Sequence, residues 1–155
     1  MSMRTNFAEC MQLEEQGFEN LRFLREAAYL WMYRGEAEKA RTIFEALNEL
    51  APNSPVGMLG LCELQMAAGK YRDAERSARK ATRAPGIDAQ TMAFAYMQQG
   101  RALLRDQKFE KAWPVLARAL EVDPGSDVGE TARELIEALR SLRTTTDVGS
   151  TQGTP

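Results

Sequence analysis

The chain repeats itself. "GEAEKA" at 35–40 returns as "GKYRDA" at 69–74 and as "QKFEKA" at 107–112. The closing alanines Ala40, Ala74 and Ala112 are spaced 74 − 40 = 34 and 112 − 74 = 38 residues apart. Self-similarity at such a period means that each copy is one supersecondary unit. A unit of this kind cannot bury its apolar face alone and must stack on its neighbours.

Setting the copies in register from residues 21, 55 and 93 tests this at other positions. Slot eight holds Ala28, Cys62 and Gly100, and slot twenty holds alanine three times. Slot twenty-seven holds Leu47, Ala81 and Ala119. Small residues at these slots let antiparallel helices approach closely. Slot twenty-four holds Phe44, Ala78 and Leu116. Slot seventeen holds Ala37, Tyr71 and Phe109, and the last two are wedges for the angle between helices. Pro52, Pro85 and Pro124 stop the second helix of each copy.

This pattern resembles a tetratricopeptide repeat (TPR) array, whose period is 34 residues. The resemblance implies an all-α helical solenoid of three helix-turn-helix repeats at 21–54, 55–88 and 93–126. An N-terminal helical extension at 1–20 precedes them, with a short helix at 5–16 that puts Phe7, Cys10 and Met11 on one side. A capping helix at 127–143 carries Val128, Ala132, Leu135, Ile136, Leu139 and Leu142 on one stripe, and Asp127 with Glu130 reads as a capping box. The tail at 144–155 is expected to be disordered. Some positions depart from the family: Leu24, Met58 and Tyr96 stand where tryptophan is common, and Gln99 stands where a large apolar residue is usual. Pro114 is predicted to remove a backbone bond and bend the second helix of the third copy, unless that helix starts later.

A TPR stack presents a concave surface made by the first helix of each repeat. In this register the partner-binding candidates are Arg22, Arg25, Tyr29, Met32 and Tyr33, then Val56, Leu59, Glu63 and Met66, then Phe94, Met97, Arg101, Leu104 and Arg105. Methionine and aromatic side chains suit a groove for apolar segments, and arginines at its rim favour acidic flanks. Repeats that clamp a C-terminal carboxylate need lysine and asparagine at slots where this chain has Arg25, Tyr29, Gly60, Phe94 and Gln98. Only Arg25 could serve, which argues against such a clamp.

The closest likeness runs through residues 33–74, where Leu59–Gly60–Leu61 leads on to "AAGKY". It resembles the class II chaperones of bacterial type III secretion. In that family the groove holds a segment of an apolar translocator before export, and the resemblance also implies homodimerisation through the N-terminal segment. A general TPR scaffold or adaptor docking subunits of a bacterial assembly is the alternative.

Composition narrows the rest. The net charge is 20 − 22 = −2, so no global field recruits nucleic acid. No histidine is present, which removes the commonest general base and metal ligand. Cys10 and Cys62 lie in no metal-ligand spacing and read as free thiols, with Cys62 in a packing slot. Acid pairs such as Glu14–Glu15 and Glu36–Glu38 have no nucleophile beside them. A non-enzymatic protein without metal or cofactor is expected. "KYRDAERSARKATR" carries six cations against two acids, a net of 6 − 2 = +4, but no aromatic platform, and reads as a solvated face. No apolar run approaches the roughly 18 residues needed to span a bilayer. The opening "MSMRTNFAECMQLEEQG" lacks a signal peptide's apolar core, so a cytoplasmic location is expected.

Overall fold

The computed structural model describes residues 19–149; the expected helix at 5–16, with Cys10, lies outside them. Among the described residues there are seven helices and no strand. They are α1 (19–33), α2 (Ala37–Leu50), α3 (Val56–Ala67), α4 (Tyr71–Ala81), α5 (Ala89–Arg105), α6 (Phe109–Val122) and α7 (Asp127–Gly149). Each helix from α2 onward packs on the next, while α3, α5 and α7 touch one another in turn as an inner layer. None of these helices is long and apolar enough to cross a membrane.

The turn inside each repeat is built the same way three times. Gly35, Gly69 and Gln107 occupy equivalent slots with φ of 80°, 74° and 60°. The next amide reaches back five residues: Glu36 N–H donates to Trp31 O, Lys70 to Gln65 and Lys108 to Leu103, at 2.9, 2.8 and 2.8 Å. This is a Schellman ending, which needs a left-handed residue after the helix and so favours glycine. Gln107 accepts the strain that glycine avoids in the other copies.

Packing follows the register. Every residue of slots eight, twenty, twenty-four and twenty-seven is buried. Two close approaches explain the glycines: a Cβ on Gly60 would overlap the ring of Phe44, and one on Gly100 would overlap Leu116. The large side chain of one helix thus fills the space that its neighbour leaves open. Slot seventeen is looser than expected of wedges, with Tyr71 partly buried and Phe109 46% exposed. Gln99 is buried because its amide donates to Glu75 at 2.9 Å, tying α5 to α4 where an apolar residue would have packed. On α4, Arg72, Arg76 and Arg79 meet Asp106, Asp73 and Glu75 across 3.6–3.8 Å, and all three side chains are at least half exposed.

As the register places it, Pro114 falls inside α6, which starts at Phe109. It deprives only the carbonyl of Glu110 of its partner, and both residues are exposed, so water can replace the bond. Three expectations need correction. The cap of α7 is Ser126, whose Oγ accepts from Gly129 N–H at 3.1 Å, so Asp127 is already helical and the Asp127–Glu130 box does not form. The helix also passes 143 and ends at Gly149, so 144–149 are not a disordered tail. Thr144 and Thr145 give their hydroxyls to Ser141 O at 2.8 and 2.7 Å, which ties them to the preceding turn. Finally, α5 begins at Ala89 rather than 93. The four residues that stretch the second interval to 38 are one extra helical turn, capped by Asp88 accepting from Thr91 N–H at 2.9 Å.

Candidate partner-binding groove

The inner layer encloses a recess of about 360 Å³. Arg25 and Tyr29 of α1, Val56 and Leu59 of α3, Gln90, Thr91 and Phe94 of α5, and Val128 of α7 line it. Four helices from every part of the array converge here, and the walls are largely apolar. A concave apolar site with a few polar groups at its edge is the usual form of a binding pocket. Five of the fourteen sequence-predicted residues meet in it: Arg25, Tyr29, Val56, Leu59 and Phe94.

Beside the recess a polar row crosses the layer. Tyr29, Glu63 and Arg101 hold the same slot in α1, α3 and α5, spaced 34 and 38 residues apart. The Tyr29 hydroxyl donates to Glu63 Oε1 at 3.3 Å, and its ring meets Phe44 edge-on at 5.2 Å. Burial first, then the Glu63 charge, holds the Tyr29 phenol protonated well above the ordinary tyrosine range. Burial likewise raises the Glu63 carboxyl above its usual value, opposed by the Tyr29 hydrogen bond and by Arg101. Arg101 donates to Gln98 Oε1 at 3.3 Å and remains exposed.

The Glu63 shift has a measurable sign. With the folded pKa above the unfolded one, stability is greatest while Glu63 is protonated and falls as pH rises through the folded value. Glu63→Gln keeps an acceptor for Tyr29 without the charge. It is expected to raise the thermal midpoint at pH 7 by about 1–3 °C. Near pH 3, below the ordinary glutamate value of about 4.3, the gain should vanish. Circular-dichroism melts at both pH values check this.

The other nine candidates are placed elsewhere or at the margin. Met97 is 6% exposed and packs with Ala119 of α6 and Ala132 of α7, so it is core rather than groove. Met32, Met66 and Leu104 lean on three different core clusters. Arg105 turns toward α4, donating to the Tyr71 hydroxyl at 3.1 Å with its guanidinium 5.3 Å from that ring. Tyr33 is 80% exposed beside Tyr29. Arg22 pairs with Glu26 at 3.3 Å and lines a second, smaller recess of about 240 Å³ with Leu21, Arg25, Leu47, Ala51, Ser54 and Val56. Glu63 and Arg101 form the polar row.

Gln90, Thr91 and Val128 were not anticipated. The first two lie on the added turn of α5, outside the 34-residue register. Val128 comes from α7, which reads as a cap and serves also as a fourth wall. An apolar cleft of about 350 Å³ between α6 and α7, with Phe109, Trp113, Leu139 and Leu142, is a lesser candidate. It has only two neighbouring helices for walls, and Arg143 bridges it to Glu110 at 4.0 Å.

Cys62 is fully buried beneath this layer, and burial, then Glu63, pushes its thiol up to about 12. It is expected to resist a thiol reagent at pH 8 in native Cys10→Ser protein and to react fully after denaturation. Mass spectrometry of the labelled chain reads the difference.

No protein-family model and no curated protein sequence matches the chain. Solved structures do match its fold. SycD, the type III secretion translocator chaperone of Yersinia enterocolitica, superposes with a TM-score of 0.71 at 20% identity, over 81% of this chain and 87% of that one. PcrH, in complex with the chaperone binding region of PopD, gives 0.70 at 17% identity, over 81% and 94%. The TPR domain of Arabidopsis OM64 gives 0.65 at 15% identity, over 79% and 98%. The fold is therefore an all-α TPR-like solenoid, shared with translocator chaperones and with other TPR domains.

Proposed function

We propose that this chain is a cytoplasmic, non-enzymatic protein-binding module of the type III secretion chaperone kind. Its concave groove holds an extended or helical segment of an apolar client, keeping that client soluble before export. The observation that carries this reading is the recess itself, apolar and drawn from α1, α3, α5 and α7 together. An array that only scaffolds its own helices has no need of such a hollow at the convergence of all its repeats. The fold shared with SycD and with PcrH, the latter solved with a region of PopD, supports the same reading. Affinity would come from apolar anchors in the recess, less the cost of ordering the bound segment.

Co-expression with membrane-active proteins encoded beside this chain's own reading frame tests the proposal. A soluble complex that forms only with the chaperone present is expected. Clients that stay equally soluble without it would refute the chaperone role. The similarity to the OM64 domain favours a second reading, a scaffold that docks a folded subunit. That reading predicts a large interface with a stable globular partner and no aggregation-prone client. Homodimerisation through residues 1–18 belongs to the first reading; sedimentation should then show a monomer for a chain beginning at residue 19 and a dimer for the full chain.

A further inference from the structure

The two recesses on the inner side of α1 are neighbours. Arg25 and Val56 line both, so the Arg25 side chain stands at their shared border. One is walled by Phe94 and Val128, the other by Leu21 and Leu47. Arg25 is exposed, and it has no carboxylate partner among the described residues, in contrast to Arg22 one turn earlier, which pairs with Glu26. A cation at the border of two apolar hollows, with no ion pair or side-chain hydrogen bond among the described residues, is a specificity element suited to an anion.

We propose that the groove reads a charge pattern: an acidic side chain seated on Arg25 between two apolar anchors, one in each recess. This rests on the groove reading above and adds to it the chemistry of the segment that fits. The second recess lies between the start of α1, the end of α2 and the α2–α3 connection, so the segment must run along α1 as well as across the layer. A lysine at the central position would set like charges together, and an asparagine would keep only a hydrogen bond. Anchors covering Arg25 from both sides would shield the pair from salt and strengthen it over an open surface pair.

Acetylated, amidated twelve-residue peptides test this. Each carries two leucines set two, three or four positions apart, with aspartate, asparagine or lysine between them; a control carries one leucine. Fluorescence polarisation gives Kd at about 0.05 M and about 0.5 M NaCl. At the best spacing the aspartate peptide is expected to bind about five-fold tighter than the asparagine peptide and tighter still than the lysine one. Arg25→Gln should erase that preference, so that the aspartate and asparagine peptides bind the variant alike, and Arg25→Lys should retain part of it. Arg76→Gln, on the outer face of α4, should leave it intact. Preference that survives Arg25→Gln, or equal binding of aspartate and lysine peptides, would overturn the assignment of Arg25. One-leucine peptides binding as tightly as two-leucine ones would overturn the use of the second recess. If no peptide binds the intact protein, the groove reading fails with it.

Discussion

Gly60→Ala is expected to destabilise the fold by about 3 kcal/mol, the upper range for overpacking a closed core. In a chain of this size that lowers the thermal midpoint by about 6–12 °C. The added methyl would land on the ring of Phe44, which is fully buried. That ring cannot retreat, because Tyr29 stands edge-on against it at 5.2 Å. Phe44→Ala alone should cost about 3–5 kcal/mol through the cavity it leaves. The two effects share one volume, so the double variant should be more stable than their sum predicts, by about 1 kcal/mol or more. Urea titrations of the wild type, both single variants and the double variant close the cycle. Strict additivity would show that Gly60 and Phe44 do not meet as described. Gly69→Ala is the useful contrast: no atom lies within 4 Å of its added Cβ, so any loss there reports backbone strain at φ +74° alone.

The Gly60–Phe44 contact shows what kind of information the sequence carries. Gly60 stands at slot six, which holds Glu26 and Gln98 in the other copies, so that contact is not echoed. The small residues of slots eight and twenty are echoed, because their packing recurs from copy to copy. Ala40, Ala74 and Ala112 could be assigned to the core without a structure for that reason. The register works less well where the chain steps outside it. The four residues that make the second interval 38 instead of 34 fall outside the register, yet Asp88 and Thr91 form a cap that turns them into helix. Gln90 and Thr91 reach the recess from that added turn. Val128 was invisible for another reason: a terminal helix is read as a cover, and its inner face was not counted as a wall. Side-chain direction is a third limit. Met97 and Leu59 both fall on the first helix of a repeat and both are 6% exposed. Leu59 still fronts the recess, while Met97 is covered by α6 and α7, and spacing along α5 cannot tell these cases apart.

That difference decides how the groove should be probed. A charge at Met97 looks, from sequence, like a clean way to block a partner. In the structure Met97→Glu would bury a carboxylate among the apolar side chains of Ala119, Ala132 and Phe94. It is expected to lower the thermal midpoint by about 10 °C or more, so lost binding would say nothing about the groove. Gln90→Trp is the better probe. Gln90 is exposed at the rim of the recess, and an indole there can fold over Phe94 and Val128 and fill the hollow from outside. It should weaken client or peptide binding by more than about ten-fold, as occlusion of a central anchor pocket does. The midpoint should move by less than about 2 °C, because an exposed side chain is replaced without disturbing the core. Calorimetric titration and a melt on the same sample separate the two quantities. If Gln90→Trp binds as the wild type does, the partner seat is not this recess. The cleft between α6 and α7 would then be the next surface to block, by a charge at Phe109.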